Sequence, residues 1–169
     1  MKILKTDKRL VDEGYRYKID GDLMSVECID LTDLDKPIYV TGFIKAGGFI
    51  KAGWSIKAGK SIEAGKSIKA GGSITAGGSI TAGGFITAGE SHGIAAGLYI
   101  TANTTITAGL KIFAGVCTWR KISDEDKTIT CTELNGGATV EYGILNIIEE
   151  AESSSDKIIT LNGKKYKLI

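Results

Sequence analysis

One six-residue phrase, a large aliphatic residue followed two places later by Ala and then by Gly (once by Asn103), recurs twelve times from Phe43-Ile44-Lys45-Ala46-Gly47 to Lys111-Ile112-Phe113-Ala114-Gly115. A period this short restricts the chain to identical short strands joined by identical corners, because one phrase cannot bury its own apolar side and must stack on its neighbours. Side chains alternate faces along a strand. The Ile of each phrase and the Ala two places on therefore form inward rows, while Ser73 and Thr75 of Gly72-Ser73-Ile74-Thr75-Ala76-Gly77 point outward. The Gly after each Ala makes a corner, either through a positive φ or through close approach of two backbones. Three phrases per coil predict an all-β, three-sided β-solenoid (a single-stranded β-helix) of about four coils, roughly 19 Å tall at the ~4.8 Å strand spacing. A two-sided coil of two phrases satisfies the same pattern.

Composition narrows the classes further. A chain of 169 residues with 43% hydrophobic content is one domain's worth of protein, and 23 Gly against 1 Pro in register indicate corners, unlike the aperiodic mixture of a linker. Net charge +1 gives neither the basic footprint of a general nucleic-acid binder nor an acidic excess. Cys28, Cys117 and Cys131 are odd in number and lack metal-like spacing, which suits free thiols in a reducing compartment. No apolar run approaches the ~18 residues of a membrane span, and Met1-Lys2-Ile3-Leu4-Lys5 lacks a signal-peptide core. The expectation is a cytoplasmic protein with no membrane partner.

The repeat divides the chain into an N-terminal β cap (1–41), the hexapeptide solenoid (42–116) and a C-terminal β cap (117–169). Tyr15, Tyr17 and Ile19 lead to Asp20-Gly21, a hairpin-type turn, with Leu23 to Ile29 as the return strand. On the other side Thr128 to Leu134 and Ile144 to Ile148 read as strands, and Ile158 to Leu161, Asn162-Gly163 and Lys164 to Ile169 as a final hairpin. Such caps close strand edges that otherwise polymerise.

Gly72-Ser73-Ile74-Thr75-Ala76 and Gly78-Ser79-Ile80-Thr81-Ala82 resemble the core repeat of bactofilins and related polymer-forming β-helix proteins over about residues 42 to 116. That resemblance implies a three-sided solenoid that assembles end to end into filaments. Hexapeptide acyltransferases place the small residue two positions before the aliphatic one. Here that position holds Trp54, Lys60, Lys66, Gly72 or Gly78, so the pattern departs from theirs.

The candidate binding residues are those that break the monotony. Phe43, Phe49 and Trp54 lie in the first coil, and Phe85 and Tyr99 flank the one interruption of the metre, where Glu90-Ser91-His92-Gly93 inserts two residues between Ile86 and Ile94. His92, the lone histidine, with Glu90 two places away, has the groups for acid/base work, but no nucleophile with a base at fixed spacing accompanies it. Lys51, Lys57 and Lys69 belong to a basic band on the early coils, suited to phosphates or to a solvated face that blocks edge pairing. The Thr row 75, 81, 87, 101, 107 scatters over three faces in a three-sided coil. No metal or cofactor set emerges. The reading is a non-enzymatic scaffold that forms a homo-oligomer through its exposed aromatics. The alternatives are an inhibitor from a phage or mobile element that binds a host protein, nucleotide or nucleic acid, and an acyltransferase that depends on His92.

Overall fold

The structure, a computed structural model, describes residues 1–149, 158–161 and 164–167. Its strands in chain order begin with β1 (Val11–Asp12), β2 (Tyr17–Ile19), β3 (Leu23–Ser25), β4 (Ile29–Leu31) and β5 (Ile38–Val40). The repeat supplies β6 (Ile44–Ala46), β7 (Ile50–Ala52), β8 (Ile56–Ala58), β9 (Ile62–Ala64), β10 (Ile68–Ala70), β11 (Ile74–Ala76) and β12 (Ile80–Ala82). It continues through β13 (Ile86–Thr87), β14 (Ile94–Ala96), β15 (Ile100–Ala102), β16 (Thr105–Thr107) and β17 (Lys111–Ala114). Then come β18 (Thr128–Cys131), β19 (Glu133–Asn135), β20 (Thr139–Tyr142), β21 (Ile144–Ile147), β22 (Ile158–Leu161) and β23 (Lys164–Lys167). Helix is confined, among the described residues, to one 3-10 turn at Glu125–Lys127. No described helix is long and apolar enough to cross a membrane.

Successive strands go to successive faces, so every third strand pairs in parallel. The first face carries β2, β5, β8, β11, β14, β17 and β20; the second β3, β6, β9, β12, β15, β18 and β21; the third β4, β7, β10, β13, β16 and β19. The coil is three-sided, as the hexads predict. It runs to about seven turns, where the repeat alone suggested four, and at ~4.8 Å per rung the stack is about 34 Å tall.

The extra turns come from the flanks. The expected N-terminal hairpin is absent: β2 and β3 lie on different faces, β2 pairs in parallel with β5, and β3 pairs in parallel with β6. Residues Leu23 to Ile29, expected as one return strand, are two short strands separated by a corner. Thr128 to Leu134 likewise bends between β18 and β19, which extend the second and third faces. Ile158 to Leu161 does pair antiparallel with Lys164 to Lys167, in register Ile159 to Tyr166, as a separate two-stranded sheet. Its turn Asn162-Gly163 and the Ser153-Ser154-Ser155 loop lie outside the described residues.

The core is a column of Ile and Ala. Ile44, Ile62, Ile80 and Ile100 stack in register on the second face, each fully buried, and Ala46, Ala64, Ala82 and Ala102 form the neighbouring row. Alternation of a large with a small residue lets three faces meet in a narrow interior without voids. Of the corner glycines of the repeat, Gly115 at its end has a positive φ (82°), and those from Gly47 to Gly109 do not. They are required by close approach instead: a Cβ on Gly77 would run into the carbonyl oxygen of Gly59 one rung below, and a Cβ on Gly78 would meet Ser61 Oγ at 2.5 Å.

Corner serines complete the hydrogen bonding. The Ser73 amide donates to Ser55 Oγ (3.0 Å), that of Ser79 to Ser61 Oγ (3.1 Å) and that of Phe85 to Ser67 Oγ (3.1 Å). Asp22 Oδ1 and Cys28 Sγ take the same place at the bottom of two corners, accepting from Phe43 (2.8 Å) and Phe49 (3.4 Å). These five corner amides are thereby met by the side chain beneath them.

Candidate functional site

Register places the aromatics on corners, where a side chain must point away from the core. Phe43, Ser61, Ser79 and Tyr99 each precede an in-register Ile of the second face, so they form one vertical row with two small residues between two rings. Phe49, Ser67 and Phe85 form the equivalent row before the third face, the rings two rungs or about 10 Å apart. Trp54, Gly72 and His92 form a third row before the first face. Each corner thus holds two rings above and below a notch of Ser or Gly. The sequence-derived aromatics are not one patch but three separated edges.

The basic residues divide in the same way. Lys51 and Lys69 are neighbours on the third face, above Asp30, whereas Lys57 lies on the first face between Tyr39 and Thr75. Residues 41–89 contain six lysines and one acid, Glu63, which pairs with Lys45 at 2.7 Å. Lys51, Lys57, Lys60, Lys66 and Lys69 make no ion pair among the described residues. Four of them instead lie against rings: Lys60 Nζ is 4.9 Å from the Phe43 centroid, Lys51 and Lys66 are each 5.3 Å from Phe49, and Lys57 is 5.4 Å from Tyr39. These are cation–π distances.

Glu90 and His92 are exposed on the inserted loop. The loop works through its backbone, since the His92 carbonyl accepts from the amides of Gly109 and Leu110, each at 3.2 Å, which supports the next turn of the same corner. The Thr row scatters as expected, with Thr81 and Thr101 on the second face, Thr87 and Thr107 on the third and Thr75 on the first. Cys131 fills an inward position and its burial pushes the thiol pKa up, while Cys28 is exposed and Cys117 half-buried. Among the described residues no three His, Cys, Asp or Glu side chains are grouped to hold a metal ion.

The structure adds residues that sequence reasoning missed. A long loop between β17 and β18 leaves the stack and carries Trp119, 67% exposed, to the first-to-second-face corner. There Trp119, Phe43, Lys60 and Leu98 enclose a cleft of about 310 Å³ floored by Gly77, Gly78 and Ser61. The loop is braced internally: Arg120 donates both terminal nitrogens to Asp126 (2.9 and 2.5 Å), whose carboxylate also accepts from the Ser123 amide (2.9 Å) and hydroxyl (3.0 Å). The signal available in the sequence was a second break in the metre, seventeen residues from Ile112 to Ile129 in place of six. A wider groove of about 760 Å³ runs up the second face between Met24, Val26, the Lys45–Glu63 pair and Tyr99.

The two ends of the stack differ. At the N-terminal end β1 pairs antiparallel along β2, and Met1 to Ile3 run along β4, with the Ile3 amide donating to the Asp30 carbonyl (2.9 Å) and the Asp30 amide to that of Met1 (2.9 Å). Ile3 and Leu34 are buried, and the rim is ionic, with Lys2–Asp33 at 2.9 Å, Lys5–Asp35 at 2.7 Å and Lys36–Asp12 at 2.7 Å. At the other end Leu145 and Ile147 stand in register on buried Ile129 and Cys131, yet are 42% and 48% exposed. Ile144, Ile148 and Tyr142 beside them are exposed too.

No family model, curated protein or solved structure matches this chain.

Proposed function

We propose that this chain is a non-enzymatic interaction scaffold that associates with itself through the C-terminal end of the stack. The observation that carries the reading is the half-bare core layer of Leu145 and Ile147, flanked by Ile144 and Ile148: core positions with nothing stacked on them among the described residues. Apolar surface of this kind on a soluble chain marks a contact site. Filament growth, the bactofilin-like outcome, needs two open ends, and pairing of β1 and of Met1 to Ile3 along the first strands works against it. One sticky end gives a closed, isologous pair. Free thiols fit the cytoplasm as the place of action.

A second reading is favoured by the lysine-and-ring corners: a sequestering protein of a phage or mobile element that takes a host protein, nucleotide or nucleic acid. The two readings use different surfaces. Size-exclusion chromatography of two variants tests which of these surfaces carries self-association. Leu145→Lys with Ile147→Lys abolishes association if the end is the interface, whereas Phe49→Ser with Phe85→Ser abolishes it if the corner aromatics are. Unchanged elution of both variants overturns self-association by either surface.

A further inference from the structure

We propose that the corner cleft of Phe43, Lys60, Leu98 and Trp119 binds a planar aromatic group that carries a negative charge, with a nucleoside monophosphate as its simplest biological form. The inference gives the sequestering reading a ligand class and does not depend on the end-on association.

The emptiness of the cleft is enforced by the stack. At the Gly77-Gly78 rung a side chain has nowhere to go, since a Cβ on either glycine collides with the carbonyl of Gly59 or with Ser61 Oγ below. Phe43 stands out beneath this gap and Leu98 above it, and Tyr99 follows three rungs above Phe43, about 14 Å away. The cleft of about 310 Å³ falls at the small end of small-molecule sites. It is lined by the Phe43 ring of the repeat and by the Trp119 ring of a braced loop outside it, and Arg120 lies 5.7 Å from the Trp119 centroid.

Lys60, which lines the cleft, has no acidic partner among the described residues. Lys60 lies over the Phe43 ring at 4.9 Å in a segment whose single acid, Glu63, is taken by Lys45. An anion there pairs with the ammonium while a ring attached to it stacks against Trp119 or Phe43, and stacking of a base on an aromatic side chain contributes about 1–3 kcal/mol. Phosphate alone finds one lysine, and an uncharged ring finds no counter-ion. Only the two parts together use both features.

The test uses the full chain with Trp54→Phe, which leaves Trp119 as the one tryptophan, titrates its emission with adenosine 5′-monophosphate, adenosine and inorganic phosphate, and measures indole-3-acetate, itself fluorescent, by calorimetry. Saturable quenching by the monophosphate is expected, with adenosine at least tenfold weaker and phosphate silent. Equal affinity for indole-3-acetate means that ring and charge suffice, while a preference for the monophosphate assigns the site to nucleotides. Calorimetry on Lys60→Met and Phe43→Leu should show at least a tenfold loss each with unchanged circular dichroism. No saturable binding of either aromatic anion at millimolar concentration overturns the proposal. Calorimetric binding undiminished in Trp119→Leu, whose side chain lies outside the stack, overturns it too.

Discussion

Lys45 Nζ lies 2.7 Å from Glu63 Oε2 on the next rung of the second face, and Thr81 and Thr101 continue the same row above them. The pair is an in-register cross-strand contact between exposed side chains, so its worth is small. Glu63→Gln should lower stability by less than about 1 kcal/mol, an effect that fades at high salt. Glu63→Lys sets like charges directly opposite and should cost more than the Gln variant at low salt. Urea midpoints at two ionic strengths check both.

The corner glycines make a sharper prediction. Gly77→Ala forces a methyl group against the Gly59 carbonyl and should cost about 1–3 kcal/mol or more, the range of overpacking. Thr75→Ala, on an outward position of the strand that leads into this corner, should change stability by about 0.5 kcal/mol or less. Equal midpoints for the two variants would mean that the rungs are not this close.

Ser67 is buried and accepts from the Phe85 amide at 3.1 Å. Ser67→Ala leaves that donor without its partner and should destabilise by about 1–3 kcal/mol. Hydrogen exchange of the Phe85 amide should accelerate in the variant, a readout that loss of a methyl contact would not produce.

Asp126 is held well below the usual carboxylate range, first by its hydrogen bonds to Arg120 and then by the Ser123 amide. A lowered folded-state pKa stabilises the loop above the ordinary value of about 4, and the contribution is lost as pH falls through the depressed value. Trp119 emission should therefore hold steady from pH 7 to about 4 and change below it. Asp126→Asn should show the altered emission already at pH 7.

Much of the stack is legible because its rule is local. Counting sixes from Lys45 lands on the outward position of each successive face and returns to its own at Glu63 and Thr81, and alternation alone puts Ile74 and Ala76 inside. The flanks obey the same rule in disguise. Tyr17, Leu23 and Ile29 are six apart, but Ile19, Ser25 and Leu31 replace the tell-tale Ala, and three added residues before Ile38 hide the resumption. The paired hydrophobics around Asp20-Gly21 then mimic a hairpin. What sequence cannot display is the cleft, because the Trp119 loop meets the corner of Phe43 and Lys60 through the turns of the coil, at a separation no short-range pattern encodes. The bare Leu145 and Ile147 are equally invisible, since they look like any core pair until one asks what stacks above them.

The most direct measurement is the absolute mass of the full chain by light scattering across concentration, with electron microscopy of the heaviest fraction. The end of three strands is narrow, at the low end of interface size, so the account predicts a rise from one chain mass to a plateau at two, reversed on dilution. A mass of one chain at every concentration would contradict it, and would indicate that the C-terminal end is closed within the chain. Growth past two into filaments would contradict it in the other direction, by showing that the covered N-terminal end is open as well.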